Sequence, residues 1–247
     1  MVKLGKWPAE KVDCCPICGV EGKFVLTAPT PIDDITLDVY SCPGCNTCYN
    51  NPRMTKETME KYYSDAEYID YVVATQRNGR GSFGERRRSL RLLLVLATFT
   101  GWKEPTRCLD VGCSQGHFLE RMKDWFYEVE TVGYDLYDDP EAIREVVHDK
   151  SEITGTFDFI SCIHTLEHVY DPLAELEWMN SLLDDGGTLF LELPTVRHIM
   201  IQHPVTFSTE SIPVIMKHIG IADYSSLSVP ALESCIVIAK KGEKNGS

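Results

Sequence analysis

The stretch Cys108-Leu109-Asp110-Val111-Gly112-Cys113-Ser114-Gln115-Gly116-His117-Phe118 decides the fold. An apolar run, Thr106–Val111, enters a glycine turn that opens at once into a helical pattern over Gly116–Phe126. Gly112 and Gly116 permit a tight turn and close approach of a ligand to the backbone. Asp110, at the strand end, can face an ammonium group. The spacing is G-x-x-x-G, not the G-x-G-x-x-G that seats a dinucleotide pyrophosphate. A second acid, Asp135, ends the next predicted strand, Thr131–Asp135, where a carboxylate can accept both hydroxyls of a ribose.

Downstream, strand and helix alternate. Asp139–Arg144 reads as a short helix, Glu145–His148 as the third strand and Phe157–Cys162 as the fourth. Asp171-Pro172 supplies an N-cap followed by proline at the first helical position. Gly187–Leu193 is the fifth strand, and Ser208 or Thr209 caps a last helix that reaches Ile219 and stops at Gly220. Asp223–Val229 and Ser234–Lys240 read as closing strands. Such alternation predicts an α/β fold with a parallel sheet covered on both faces and ligands at the carboxyl ends of its strands.

Upstream the composition changes. Six of the ten cysteines lie within the first 48 residues. Cys15-Pro16-Ile17-Cys18 and Cys42-Pro43-Gly44-Cys45 form paired C-x2-C units, with strand-like runs Phe24–Thr27 and Ile35–Tyr40 between them. Two such knuckles joined by a hairpin predict a zinc ribbon with Cys15, Cys18, Cys42 and Cys45 as ligands. Four sulfurs leave no open position, so the metal is expected to be structural. Disulfides or a reduced cluster are the alternatives, and Cys14 and Cys48 are spare thiols. Between head and sheet, Thr55–Thr58 opens a helix reaching Tyr62-Tyr63, and Tyr62, Tyr63, Tyr68 and Tyr71 form an aromatic cluster. Arg77–Arg91 carries six arginines against Glu85, a run that either receives an anionic substrate or is a solvated helix face along Glu85–Phe99. The expected organisation is a zinc-ribbon domain over 1–52, a helical linker or lid over 53–104 and a ligand-binding domain over 105–247.

These motifs together resemble class I S-adenosylmethionine-dependent methyltransferases with an N-terminal zinc-ribbon extension, a bacterial and phage subgroup. Leu109–Gly116 is similar to the family's glycine motif, Phe157–Pro172 to its fourth-strand motif, and Leu183–Leu189 to the approach to strand five. Ser114 stands where the family usually has glycine. The resemblance implies a Rossmann-like, mostly parallel sheet with the last strand antiparallel. It places Gly112, Cys113, Ser114, Gly116 and Phe118 around the methionine part of S-adenosylmethionine, with Asp110 orienting the amino group. Asp135 would hold the ribose, Leu136 the adenine face, and Asp149 and Lys150 the adenine edge, while Cys162, Ile163 and His164 would face the sulfonium. Members commonly methylate sugars, lipids or other small metabolites, so a small-molecule acceptor, a saccharide or nucleotide-sugar, is expected.

His164-Thr165-Leu166-Glu167-His168 supplies the candidate proton acceptors: His168 or His164 as general base, with Glu167 as orienting partner. The same residues match H-x-x-E-H of some zinc proteases, but they follow directly on a predicted strand, whereas that motif needs a helix. A divalent metal held with His198 or His203 is a weaker reading. Gly112–Gly116 also matches the G-x-S-x-G of hydrolases, a chemistry in which Asp110 and Asp135 have no role. Glu192-Leu193-Pro194, ending strand five, should border the substrate cavity.

Charge narrows the partners. The net charge is −13, with residues 1–100 near neutral and the remainder strongly acidic. Binding to phosphate backbones or anionic membrane relies on cationic surface, so neither partner is expected. The rivals are an RNA methyltransferase using its ribbon on nucleic acid and a noncatalytic cofactor-binding scaffold. No apolar run approaches bilayer length and Met1–Pro8 lacks an apolar signal core, so a cytoplasmic location is expected.

Overall fold

The computed structural model describes residues 2–30, 35–63, 82–98, 103–137, 142–194, 200–230 and 233–243. The N-terminal third contains β1 (Val2–Leu4), β2 (Trp7–Glu10), β3 (Lys23–Pro29), β4 (Thr36–Ser41), β5 (Cys48–Asn50), β6 (Arg53–Met54) and α1 (Lys56–Tyr62). Then follow α2 (Ser82–Thr98), β7 (Arg107–Val111), α3 (His117–Trp125), β8 (Glu130–Tyr134), β9 (Val146–Val147) and β10 (Phe157–Ile163). The chain continues through α4 (Pro172–Leu182), β11 (Leu183–Pro194), β12 (Val205–Thr206), α5 (Ile212–His218), β13 (Asp223–Val229) and β14 (Ser234–Lys240).

The apolar runs predicted as strands assemble into one seven-stranded sheet in the order β13-β14-β11-β10-β7-β8-β9. Strands β7 to β11 pair in parallel, and β14 runs antiparallel to both β11 and β13. This is the expected Rossmann-like α/β sheet with an antiparallel last strand. Strand order reverses at β7, so the crevice for a ligand opens at the carboxyl ends of β7, β8 and β10. Alternate residues of these strands bury on opposite faces. Leu109, Ile160, Cys162, Leu189 and Leu191 pack with Leu176, Met179 and Ile215, while Cys108, Phe159 and Phe190 pack under Phe118, Met122 and Leu93. Burial on both faces is why these strands read as continuous apolar runs.

Two features of the head lie beyond the sequence reading. Strands β1, β2 and β6 form a small sheet of their own. The hairpin β3–β4 extends through β5 to β12, so Val205–Thr206, from the far half of the chain, completes the head's sheet against Cys48-Tyr49. Cys15, Ile17, Cys42, Cys45 and Tyr49 share one apolar cluster with Val205 and Phe207.

Several boundaries shift. Residues 142–144, part of the expected helix Asp139–Arg144, are irregular, and 138–141 lie outside the described residues. The third strand shortens to Val146–Val147, and the fifth begins at Leu183 because its pairing to β10 starts there, across an irregularity in register. The expected Ser208 cap closes a single tight turn, Thr209–Ser211, before α5 begins at Ile212. Asp171 caps α4 as expected, accepting from the Ala174 amide, with Pro172 at the helix start. Tyr68, Tyr71, Arg77, Arg80 and His198 lie outside the described residues. No helix among the described residues is long and apolar enough to cross a membrane.

Candidate functional site

The turn after β7 has three left-handed residues, Gly112, Ser114 and Gly116, with φ of 74, 46 and 83°. That conformation explains why glycine is expected at the middle position, and Ser114 holds it as a small polar residue. The turn is pinned to the next strand tip. The Gly112 and Cys113 amides donate to the Tyr134 carbonyl at 2.7 and 3.1 Å, and the Ser114 amide donates to Asp135 Oδ2 at 2.8 Å. Asp135 Oδ1 accepts from the Tyr137 amide at 2.9 Å, so backbone amides fix the carboxylate at the tip of β8. A Cβ at Gly112 would fall 2.1 Å from Thr165 Oγ1, so glycine lets the loop after β10 close onto the turn.

Asp110 lies below this surface. It is buried and accepts from Ser161 Oγ at 2.6 Å, across the β7–β10 pair. Burial raises its pKa to about 7, and the charge of Asp135 adds to that against the Ser161 bond and Arg88. Leu136 is 63% exposed next to Asp135, an apolar platform at the same tip. Cys113 packs under Gly133, while Phe118 stacks between Phe159 and Phe190 in the core, and Cys162 is fully buried. The side chains of Phe118 and Cys162 therefore shape the floor rather than line a cavity, and Ile163 is partly buried against the same core. Asp149 caps the tight turn Lys150–Glu152 by accepting from the Ser151 amide. The Lys150 ammonium pairs with Glu175 and sits 4.1 Å from the Trp178 ring centroid. Asp149 and Lys150 thus both have partners beside β9.

The tip of β10 gathers the titratable groups. His164 is left-handed at φ 48°, strained backbone of the kind that concentrates at functional sites. Its Nδ1 lies 3.6 Å from Glu167 Oε1 and its Nε2 3.6 Å from Glu192 Oε1. Glu192, buried at the end of β11, accepts from Arg88 Nη2 at 2.7 Å, Arg88 Nε at 3.0 Å and Ser234 Oγ at 3.0 Å. Burial alone would raise its pKa, but His164 and Arg88 outweigh it and hold the carboxyl at about 2. Arg88 is thus one member of the arginine run that serves neither as solvated face nor as anion receptor. His168 Nδ1 lies 2.8 Å from Tyr63 Oη, and its Nε2 lies 3.2 Å from His203 Nε2. Sequence reasoning placed Tyr63 in the aromatic cluster of the linker or lid and gave His203 a minor role. Each sits in a segment whose own pattern says nothing of the partner it meets more than thirty residues away.

In the head, the four cysteines expected as ligands do converge. Cys15 and Cys45 sulfurs lie 3.6 Å apart and those of Cys18 and Cys42 3.2 Å apart, far longer than the ~2.05 Å of a disulfide. All four lie within 4.8 Å of one another. The Ile17 amide points at Cys15 Sγ and the Gly44 amide at Cys42 Sγ, as in thiolate knuckles. Cys14 is exposed and Cys48 buried elsewhere on β5.

The family described as methyltransferase domain matches residues 83–226. The ubiquinone biosynthesis O-methyltransferase of Xanthomonas campestris pv. campestris (strain B100) is 37% identical over 34% of this chain and 41% of its own length. The chain thus spans about two-fifths of the length of the curated relatives it matches. Among solved structures, the 1,6-didemethyltoxoflavin-N1-methyltransferase of Burkholderia thailandensis, bound to 1,6-didemethyltoxoflavin and S-adenosylhomocysteine, aligns with a TM-score of 0.56 at 16% identity, over 87% of this chain and all of that one. A SAM-dependent methyltransferase from Archaeoglobus fulgidus aligns with a TM-score of 0.52 at 20% identity, over 69% of this chain and all of that one. At these identities the structures speak to the fold alone. With more than half of its length matched by the family, the chain belongs to the methyltransferase-domain family.

Proposed function

We propose that this chain is an S-adenosylmethionine-dependent methyltransferase acting on a small molecule, with saccharides and nucleotide-sugars the first acceptors to test. The observation that carries the reading is the pinned pair of strand tips: a left-handed glycine turn on β7 whose Ser114 amide is held by Asp135 on β8. The residues present fit the cofactor. The turn brings bare backbone to the crevice, Asp135 offers a carboxylate to ribose hydroxyls, and Leu136 offers an exposed apolar surface to adenine. The family match supports this reading. So do the names of the relatives: an O-methyltransferase of ubiquinone biosynthesis in one case and a methyltransferase bound to 1,6-didemethyltoxoflavin in the other.

S-adenosylmethionine supplies a methyl group on a cationic sulfur when bound. This chain supplies placement and proton handling. Methyl transfer depends chiefly on holding the acceptor in line, and residues 105–247 provide the cleft for it. His164 is the proton acceptor for an acceptor hydroxyl, because it stands at the tip of β10 between two carboxyl groups. Ionised Glu192 stabilises the imidazolium that forms, and Arg88 holds Glu192 in place. Glu167 and His168 complete the wall behind His164. The head, residues 1–52, carries a structural zinc on Cys15, Cys18, Cys42 and Cys45, and residues 53–104 bridge it to the sheet.

Calorimetric titration with S-adenosylhomocysteine tests the reading. Asp135→Ala is expected to weaken binding at least about tenfold, since hydrogen bonds to a charged group contribute roughly 1.5–3 kcal/mol. Unchanged affinity would refute the placement. A screen of acceptors with labelled methyl donor then identifies the substrate class.

A further inference from the structure

The loop after β10 carries a carboxyl group to which the proposed methyl transfer gives no chemical step. Glu167 is completely buried, its oxygens meet no side-chain hydrogen bond, and the nearest imidazole nitrogen of His164 stands 3.6 Å from Oε1. An ionised carboxylate so placed is costly unless a cation or strong donors meet it. Beside it, two imidazoles meet edge to face, with ring planes at 89° and Nε2 atoms 3.2 Å apart. His168 Nε2 also lies 3.8 Å from Glu167 Oε1, and one donor atom from each of Glu167, His168 and His203 falls within 4.8 Å of the others.

From this convergence we infer that Glu167, His168 and His203 form a second metal site, built for a divalent transition ion of the zinc class. Around an ion with bonds of about 2.0–2.2 Å to nitrogen and oxygen, tetrahedral neighbours stand about 3.3 Å apart. The two imidazole nitrogens already match that spacing, and the carboxylate, 3.8 Å from His168 Nε2 and within 4.8 Å of His203, needs to move inward to join them. Two imidazoles and one carboxylate are a borderline donor set that suits zinc over magnesium or calcium. The surroundings orient the ligands as a metal site requires. With Tyr63 Oη accepting from His168 Nδ1–H at 2.8 Å, the Nε2 lone pair is left for the ion. The His203 carbonyl accepts from buried Asn50 Nδ2 at 2.9 Å, tying that ligand to β5 of the head. Loss of the Glu167 proton on binding would give the cluster one negative charge, because the nearby Arg88 is already matched by Glu192. Three protein ligands leave a coordination position open, in contrast to the closed cysteine set, so this ion could take water or an acceptor oxygen.

The test uses the full chain, stripped of metal under reducing conditions and titrated with cobalt(II). Two sites of different donor chemistry give different spectra: thiolate charge-transfer bands in the near ultraviolet for the cysteines, and visible bands without thiolate character for the second site. The expected result is two equivalents per chain in the unsubstituted protein. The second equivalent should be lost, or weakened at least tenfold, in both Glu167→Gln and His203→Asn while the thiolate bands persist as a marker of an intact head. Saturation at one equivalent, or a second equivalent indifferent to both substitutions, would overturn the site. The unsubstituted protein's stoichiometry decides the matter even if a variant fails to fold, and the outcome does not depend on cofactor binding at β7 and β8.

Discussion

The cysteine head and the strand-tip cleft solve opposite problems. The head's four sulfurs come from two short knuckles, each with its own turn amides aimed at sulfur, and together they close around one point. The cleft is assembled from the ends of β7, β8, β10 and β11, and it leaves the Asp135–Leu136 tip and His164 open to a ligand. A closed donor set is suited to holding structure, and an open one to chemistry. The two are nonetheless joined: β12 completes the head's sheet, Asn50 holds the His203 loop, and Tyr63 reaches His168. Stability of the head should therefore be felt at the cleft.

The largest expected effect tests that coupling. Apparent zinc binding in small thiolate domains amounts to about 10–16 kcal/mol, so removing the metal should unfold the head and lower the melting temperature of the whole chain by at least about 10 °C. Calorimetry with and without chelator, repeated on Cys42→Ala, measures it; an unchanged transition would separate the two regions.

The next effect belongs to the cleft alone. Arg88→Met strands the buried Glu192 charge and is expected to cost about 3–5 kcal/mol in denaturant unfolding, whereas the double variant Arg88→Met/Glu192→Gln should recover most of that loss. Equal losses in the single and double variants would mean that the pair is not the cause.

Asp110 gives a pH signature of the opposite kind. Its folded pKa of about 7 stands above the ordinary 3.8, so the folded state binds the proton more tightly than the unfolded state. Stability from this group is therefore complete below about pH 4, declines from pH 4 to 7, and is flat above that. Asp110→Asn should equal the unsubstituted protein near pH 4 and gain about 2–4 kcal/mol over it by pH 8 without ligand, as read by urea unfolding at each pH. A pH-independent difference would contradict the burial of an ionisable group there. The smallest change concerns the turn: Ser114→Gly relieves a left-handed serine and should add about 1 kcal/mol, seen as a small rise in melting temperature with cofactor affinity kept.

How far the sequence reached follows the same division between local and assembled structure. The glycine turn, the Asp171-Pro172 helix start and the paired knuckles were legible because each is encoded within a few adjacent residues. Strands β10, β11 and β14 were legible because burial on both faces leaves an unbroken apolar run. By contrast β12 has two residues and β6 has two, too few for any periodicity, and their partners lie far away in the chain. The site divides likewise. Asp135 could be named from its distance to the turn, whereas the Arg88–Glu192 pair and the meeting of Tyr63, His168 and His203 depend on packing that no local pattern carries. Phe118 and Cys162 sit beside motif residues in sequence, yet the pleat and the helix face turn them into the core.

The central claim is that the cofactor lies across the tips of β7 and β8. A crystal structure of the full chain grown with S-adenosylhomocysteine tests it most directly. The expected density runs over Gly112–Gly116, with both ribose hydroxyls on Asp135 and the adenine against Leu136. Density for the nucleoside at any other place, with those two tips bare, would contradict the account.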